Sequence, residues 1–266
     1  MKKIALSLAL LGSFASADFL SLSAGAGEWN QEPDGYVKVG DSINYFAPHA
    51  VDPNNNIGSF GLKDATNPYV WVKFIYPIPL LPNIKVQYTK YDTTGHSDYI
   101  AGNDIKIFGD ATIKTGISNA DTTQTINSYD ATFFYEFKPV LADIEAGFGI
   151  DYWAGHTKIY GTASGTGETK TWVDSDWSAI IPYLYAHVET MHLFGFSAIV
   201  NAKYAQVPDA HHYDYTGALK YTIDIPGPVN PFIKAGYRYK DVYGKDGSDE
   251  TKVQYKGAFL EVGAKF

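Results

Sequence analysis

The chain has 266 residues, no cysteine, 21 Tyr, 15 Phe and a formal net charge of −8 at pH 7. The lack of cysteine excludes a disulfide framework, a lipid-modified N-terminal cysteine and any thiolate metal or nucleophile chemistry. The mild, scattered acidity speaks against nucleic acid or anionic lipid as a non-specific partner, and no apolar run reaches the length of a membrane helix.

Residues 1–17, MKKIALSLALLGSFASA, have the parts of a secretory signal: Lys2 and Lys3, an apolar stretch from Ile4 to Leu11, and small residues ending Ala15-Ser16-Ala17. Export follows from this reading, and residues 18–266 form one domain of the size of an all-β barrel. An exported chain without a membrane helix can still be membrane-embedded if its strands close and satisfy every backbone N–H and C=O.

The mature chain alternates with period two. In PYVWVKFIYP, Val70, Val72, Phe74 and Tyr76 share one face, while Tyr69, Trp71, Lys73 and Ile75 share the other. INSYDATFFYEF sets Tyr129, Ala131, Phe133, Tyr135 and Phe137 against Asp130, Thr132, Phe134 and Glu136. DIEAGFGIDYW sets Ile144, Ala146, Phe148, Ile150 and Tyr152 against Glu145, Gly147, Gly149 and Asp151. Ten such segments begin near Phe19, Tyr69, Ile84, Ile126, Ile144, Ala179, Leu193, Tyr213, Phe232 and Val253.

The connections alternate in character. PIPLLPN, KPVLA, ETMH and PGPVNP are short, whereas residues 30–67, 95–125, 159–176, 207–212 and 244–250 read as polar loops. This pattern predicts an all-β fold, a closed antiparallel up-and-down transmembrane β-barrel of about ten strands. Eight or twelve strands stay open, because the first segment is Gly/Ala-rich and both YVKVGDSINYF and NDIKIFGDATIKTG could form hairpins or extra strands. A soluble periplasmic β-sandwich predicts alternation too. A Gly-rich, charged and Tyr-rich face opposite each apolar one favours a barrel lumen. Tyr76, Tyr88, Tyr152, Tyr204, Tyr213, Tyr215, Tyr237 and Tyr239 suit interfacial girdles.

The last segment carries Ala258, Leu260, Val262, Ala264 and Phe266 on one face. A terminal Phe on an amphipathic closing strand resembles the signal of bacterial outer-membrane β-barrel proteins. That likeness implies outer-membrane lipid and the barrel-assembly machinery as partners, with Phe266 as the assembly signal. Tyr255, Gly257, Leu260 and Val262 fit the motif's spacing but leave four residues after it; with the motif ending at Phe266, Glu261 stands where Gly is usual. The stretches MKKIALSLALLGSFASADFLSLSAGAGEW and FLEVGAKF resemble an uncharacterised family of about ten-stranded outer-membrane barrels, a likeness that brings no activity with it.

Strand parity turns Lys73, Lys85, Lys203, Lys220, Lys234, Arg238, Lys240 and Lys265 into the lumen, against Asp130, Glu136, Glu145, Asp151, Glu189, Asp224 and Glu261. This near balance predicts internal ion pairs, with Lys234, Arg238 and Lys240 as a local anion-attracting strip. Barrels of about eight strands are just filled by side chains, so ten strands predict a plugged lumen or a narrow pore for small solutes. His187 and Glu189 join the lumen network.

In the rim stretch PDAHHYDY, Asp209 and His211 resemble the Asp-x-His pair of the omptin outer-membrane proteases. The family's second Asp pair has no counterpart, since Asp92 and Asp98 are too far apart. Asp52, Asn54 and Asn56 match the first ligand spacings of a calcium loop, which Ile57 and Lys63 then break. Adjacent His211 and His212 diverge on a strand. No catalytic residue, cofactor site or metal site is expected, nor any enzymatic activity. The expectation is a structural or narrow-pore barrel of unspecified oligomeric state. Trp29, Tyr36, Tyr45, Phe46, Phe60, Tyr99, Ile100 and Phe108 make the long loops apolar enough to pack over its mouth.

Overall fold

The computed structural model describes residues 21–78, 80–102, 105–107, 111–113 and 115–266. The segment expected to be a secretory signal, the strand start expected near Phe19, and Phe108 lie outside the described residues. The strands are β1 (Ser21–Val39), β2 (Ser42–Tyr45), β3 (Ile57–Ser59), β4 (Ala65–Ile75), β5 (Asn83–Ile100), β6 (Ile105–Ile107), β7 (Ala111–Ile113), β8 (Ile117–Phe137), β9 (Ala142–Ala163), β10 (Thr169–Thr190), β11 (Phe196–Val207), β12 (Ala210–Thr222), β13 (Asn230–Asp246) and β14 (Asp249–Lys265).

Twelve of them form one sheet, and β14 returns to pair with β1. The strands that close the ring are β1, β4, β5 and β8 to β14, ten in all, each antiparallel to both neighbours. The seam runs from Ser23 opposite Lys265, through Ala26 opposite Val262, to Lys38 opposite Glu250. The Phe266 N–H donates to the Leu22 carbonyl at 2.7 Å, carrying the seam one residue beyond β14.

The two stretches that left the strand count open are both hairpins. β1 turns at Gly40-Asp41 into β2, and Gly40 takes the positive φ of 56° that such a two-residue turn requires. β6 and β7 pair as a separate two-stranded sheet.

β4 is short, so above it β1 and β5 would each show an unpaired edge. β2 and β3 fill that gap. β2 pairs with β1 on one side and with β3, in parallel, on the other. The segment after β3 then reaches β5: Lys63 N–H donates to the Thr94 carbonyl, and Thr93 Oγ1 donates to the Lys63 carbonyl at 2.6 Å. Asn44 exchanges two side-chain bonds with the Ala101 backbone, at 3.0 and 2.8 Å. Phe46, Phe60, Tyr99 and Ile100 are buried there, so residues 40–64 are part of the wall and its packing.

The outward faces follow the period-two reading. Tyr129, Tyr135 and Phe137 on β8, and Ile144, Phe148, Ile150 and Tyr152 on β9, are all exposed. From Tyr129 to Phe137 a strand rises roughly 27 Å, or about 21 Å along the axis at a tilt of ~40°, close to the height of a lipid-facing band. Tyr88, Tyr129 and Tyr152 lie side by side at its upper edge, with ring centroids 5.4 and 6.4 Å apart. The short turns at its lower edge are greasy as well: Leu80, Val140 and Phe194 are 87%, 93% and 97% exposed. Such a continuous apolar surface is stable only against lipid or a large apolar partner.

Several loop boundaries differ from the sequence reading. β8, β9 and β10 run for 21, 22 and 22 residues, about twice what a crossing needs. The loops expected at 207–212 and 244–250 are two-residue turns, at 208–209 and 247–248. Above the apolar band both strand faces become polar, which resembles a loop in composition. Backbone pairing continues because it depends on N–H and C=O rather than on hydropathy. At the other end, Leu193 lies in the β10–β11 turn rather than opening a strand, and Phe194 and Gly195 both take positive φ there.

The band makes a depth-dependent prediction. Leu184, mid-band on the outer face of β10, should cost roughly 2–4 kcal/mol when changed to Arg, against about 0–1 kcal/mol for Ser178→Arg at the band's upper edge. Urea-induced unfolding from lipid vesicles measures both; equal costs at the two positions would contradict a lipid-facing band.

Candidate functional site

The lumen is organised in layers. Toward the long-loop end, Trp29 (β1), Tyr91 (β5), Trp153 (β9), Trp177 (β10) and Tyr255 (β14) turn inward because their parity opposes the outward band. Their rings meet at centroid distances of 5.7 Å (Trp29–Tyr91), 5.9 Å (Tyr91–Trp153), 4.7 Å (Tyr91–Tyr255) and 6.4 Å (Trp153–Trp177). β5 and β14 are not neighbours in the ring, so Tyr91 and Tyr255 meet across the lumen.

Beneath the rings lies a layer of ion pairs. Lys240 on β13 reaches Asp151 on β9 at 2.5 Å, nearly spanning the barrel, and both side chains are 1% exposed. Asp151 also accepts from Trp153 Nε1 at 2.9 Å and Ser128 Oγ at 2.6 Å. Arg238 holds Asp214 with two parallel bonds of 2.9 and 2.6 Å, the strong fork geometry of guanidinium with carboxylate. Lys203 pairs with Asp130 at 2.6 Å, and the Tyr183 hydroxyl donates to the same carboxylate at 2.8 Å.

A third layer faces the short-turn end. Lys73 pairs with Glu145 at 2.7 Å, and the Tyr185 hydroxyl donates to Glu145 at 2.9 Å. Lys234 pairs with Glu261 at 2.7 Å, and the Tyr69 hydroxyl donates to Glu261 at 2.8 Å. Lys220 contacts Glu189, which also accepts from Ser197 Oγ at 2.8 Å. The three ion pairs and Tyr185 surround a cavity of about 440 Å³ that reaches the barrel mouth past Glu136, Asp143, His192 and Lys265.

Every cation expected in the lumen faces inward, but Lys234, Arg238 and Lys240 do not form an anion-attracting strip. Glu261, Asp214 and Asp151 neutralise them one by one. His187 lies beside the Tyr185 ring, with centroids 6.5 Å apart, and lines the cavity together with Glu189. Asp214 and Asp143 also face inward and were missed by the sequence reading. Asp214 shares the face of Lys220, the parity that identifies it, within the segment that begins near Tyr213.

The rim pair does not assemble. His211 points outward, stacked between Tyr213 and Tyr243 at 4.4 and 5.1 Å, and its near carboxylate is Asp241 at 3.4 Å rather than Asp209. Asp209 sits in the β11–β12 turn, where its carbonyl accepts from Lys245 N–H. His212 points inward against Tyr183, so the two histidines diverge as expected. The Asp52 carboxylate caps its own short 3₁₀ turn, Pro53–Asn55, accepting from Asn54 N–H and Asn55 Nδ2.

No family model matches the chain, and no curated protein matches it. Among solved structures it is similar to the outer membrane protease OmpT from Escherichia coli, at 8% identity and a TM-score of 0.46, over 94% of this chain and 97% of that one. It is also similar to Ail, the attachment invasion locus protein of Yersinia pestis, at 10% identity and a TM-score of 0.33, over 91% and 98% of the two chains. Neisserial surface protein A matches at 12% identity and a TM-score of 0.28, over 92% and 95%.

The cross-lumen pair makes a prediction about stability. Lys240→Met leaves the Asp151 carboxylate buried without its cation and should cost about 3–5 kcal/mol, while adding Asp151→Leu should recover much of that loss. Unfolding midpoints in detergent test it; a double variant as unstable as the single one would contradict the pairing.

Proposed function

We infer that the protein is an integral outer-membrane β-barrel with a filled lumen, a structural barrel carrying ordered walls above the membrane rather than an open channel. One observation carries the reading: Trp29, Tyr91, Trp153 and Tyr255 pack across the lumen directly above the buried Lys240–Asp151 pair. Ions passing through would have to displace aromatic rings and break a pair held almost wholly out of water.

Lipid as the surrounding medium is supported by the apolar band and the tyrosines at its edge. Closed barrels and helices are the structures that satisfy the backbone in a bilayer, and short turns at one end with taller walls at the other match the periplasmic and external ends of an outer-membrane barrel. On this reading the cavity opens to the periplasm. The rim-protease alternative finds no support in its own pair, because His211 lies against Asp241 and two tyrosine rings, away from Asp209.

Residues 18–266, refolded and verified by heat-modifiable gel migration, should give no discrete current steps in a planar bilayer. Stepwise currents from verified folded protein would overturn the filled-lumen reading. The Tyr91→Ala, Tyr255→Ala double variant removes the two rings that meet across the lumen and should bring conductance closer to that of a small pore.

A further inference from the structure

Among the described residues, one lysine of the short-turn cavity, Lys85, has no carboxylate partner. Lys73 and Lys85 are direct cross-strand partners, and so are Lys220 and Lys234. Like charges directly opposite one another destabilise a sheet unless something offsets them. Glu145 takes Lys73, Glu189 takes Lys220 and Glu261 takes Lys234. Among the described residues no carboxylate pairs with Lys85.

Instead, Lys85 Nζ sits 5.1 Å from the centre of the Trp71 ring, and Lys234 Nζ approaches the same ring at 5.7 Å. Trp71 itself is 8% exposed and stacks with Phe232 at 6.3 Å, and its indole N–H meets no acceptor among the described residues. All these groups line the cavity of about 440 Å³, within the size range of small-molecule sites. The wall therefore offers a lysine without a carboxylate partner, a second lysine close by and a stacked pair of aromatic rings.

We propose that this cavity is a binding site, entered from the short-turn end, for a small organic carboxylate whose charged head pairs with Lys85 and whose apolar body lies against Trp71 and Phe232. The carboxylate supplies Lys85 with the partner it lacks among the described residues, since the other carboxylates lining the cavity, Glu136, Asp143 and Asp224, make no ion pair with it. The site does not depend on whether the lumen conducts, so silence in a bilayer and failure to bind are separate results.

The test is titration of refolded protein in detergent with benzoate, followed by calorimetry and tryptophan fluorescence, with acetate and inorganic phosphate as comparison probes. Saturable benzoate binding is expected, at least tenfold tighter than acetate. Lys85→Met should weaken it tenfold or more, Lys85→Arg should keep it within a few-fold, and Lys90→Met on the outer face should leave it unchanged. Each variant is first checked for folding by gel migration. No saturable binding to the wild type would overturn the proposal. So would a folded Lys85→Met variant that binds as well as the wild type, or inorganic phosphate binding more tightly than benzoate.

Discussion

Pairing between the first and last strands is the constraint on which the rest of the molecule depends. In a medium without water each unpaired backbone N–H or C=O costs several kcal/mol, so a sheet of this kind is stable only when it has no edge. The β1–β14 seam removes the edge, and β2 with β3 repeats the solution locally where short β4 would leave β1 and β5 open. Closure also fixes parity: once the ring is shut, every strand has one face toward lipid and one toward the lumen.

The lumen then becomes an enclosed interior to be filled, and ten strands give it room for side chains together with polar groups that need partners. The chain fills the upper part with aromatic rings and the lower part with carboxylates and cations, some paired between neighbouring strands, as Lys234 with Glu261, and others between strands that do not touch in the ring, as Lys203 with Asp130. Buried pairs of this sort add little net stability compared with apolar substitutes, but losing one partner is costly. Their geometric effect is to tie opposite walls together, as Lys240 and Asp151 do, while Lys85 at the short-turn end has no carboxylate partner among the described residues.

Much of this was legible in the sequence because lipid and lumen impose opposite chemistry on alternate residues. Tyr129 to Phe137 and Ile144 to Tyr152 declare their outward faces without any structure. The polar upper walls were not legible: residues such as His156, Asp174 and Asp176 carry no apolar alternation, and only long-range pairing with the next strand reveals that they are sheet. Cross-lumen partners are likewise invisible to local pattern, since Lys203 and Asp130 are far apart in the chain and meet only after closure. Glu261 is instructive here. It departs from the Gly usual in the closing motif, and the structure gives it inward work, binding Lys234 and the Tyr69 hydroxyl.

Ring closure can be tested directly because the chain has no cysteine of its own. Ala26→Cys and Val262→Cys place two thiols at opposed seam positions, a separation in the range a disulfide can span. Oxidation of the folded, membrane-inserted double variant should give an intramolecular cross-link that shifts the unfolded band on a non-reducing gel, while the offset pair Ala26→Cys and Leu260→Cys should react far less. Verified folded protein that gives no link at the matched pair, or links only between chains, would contradict a closed barrel.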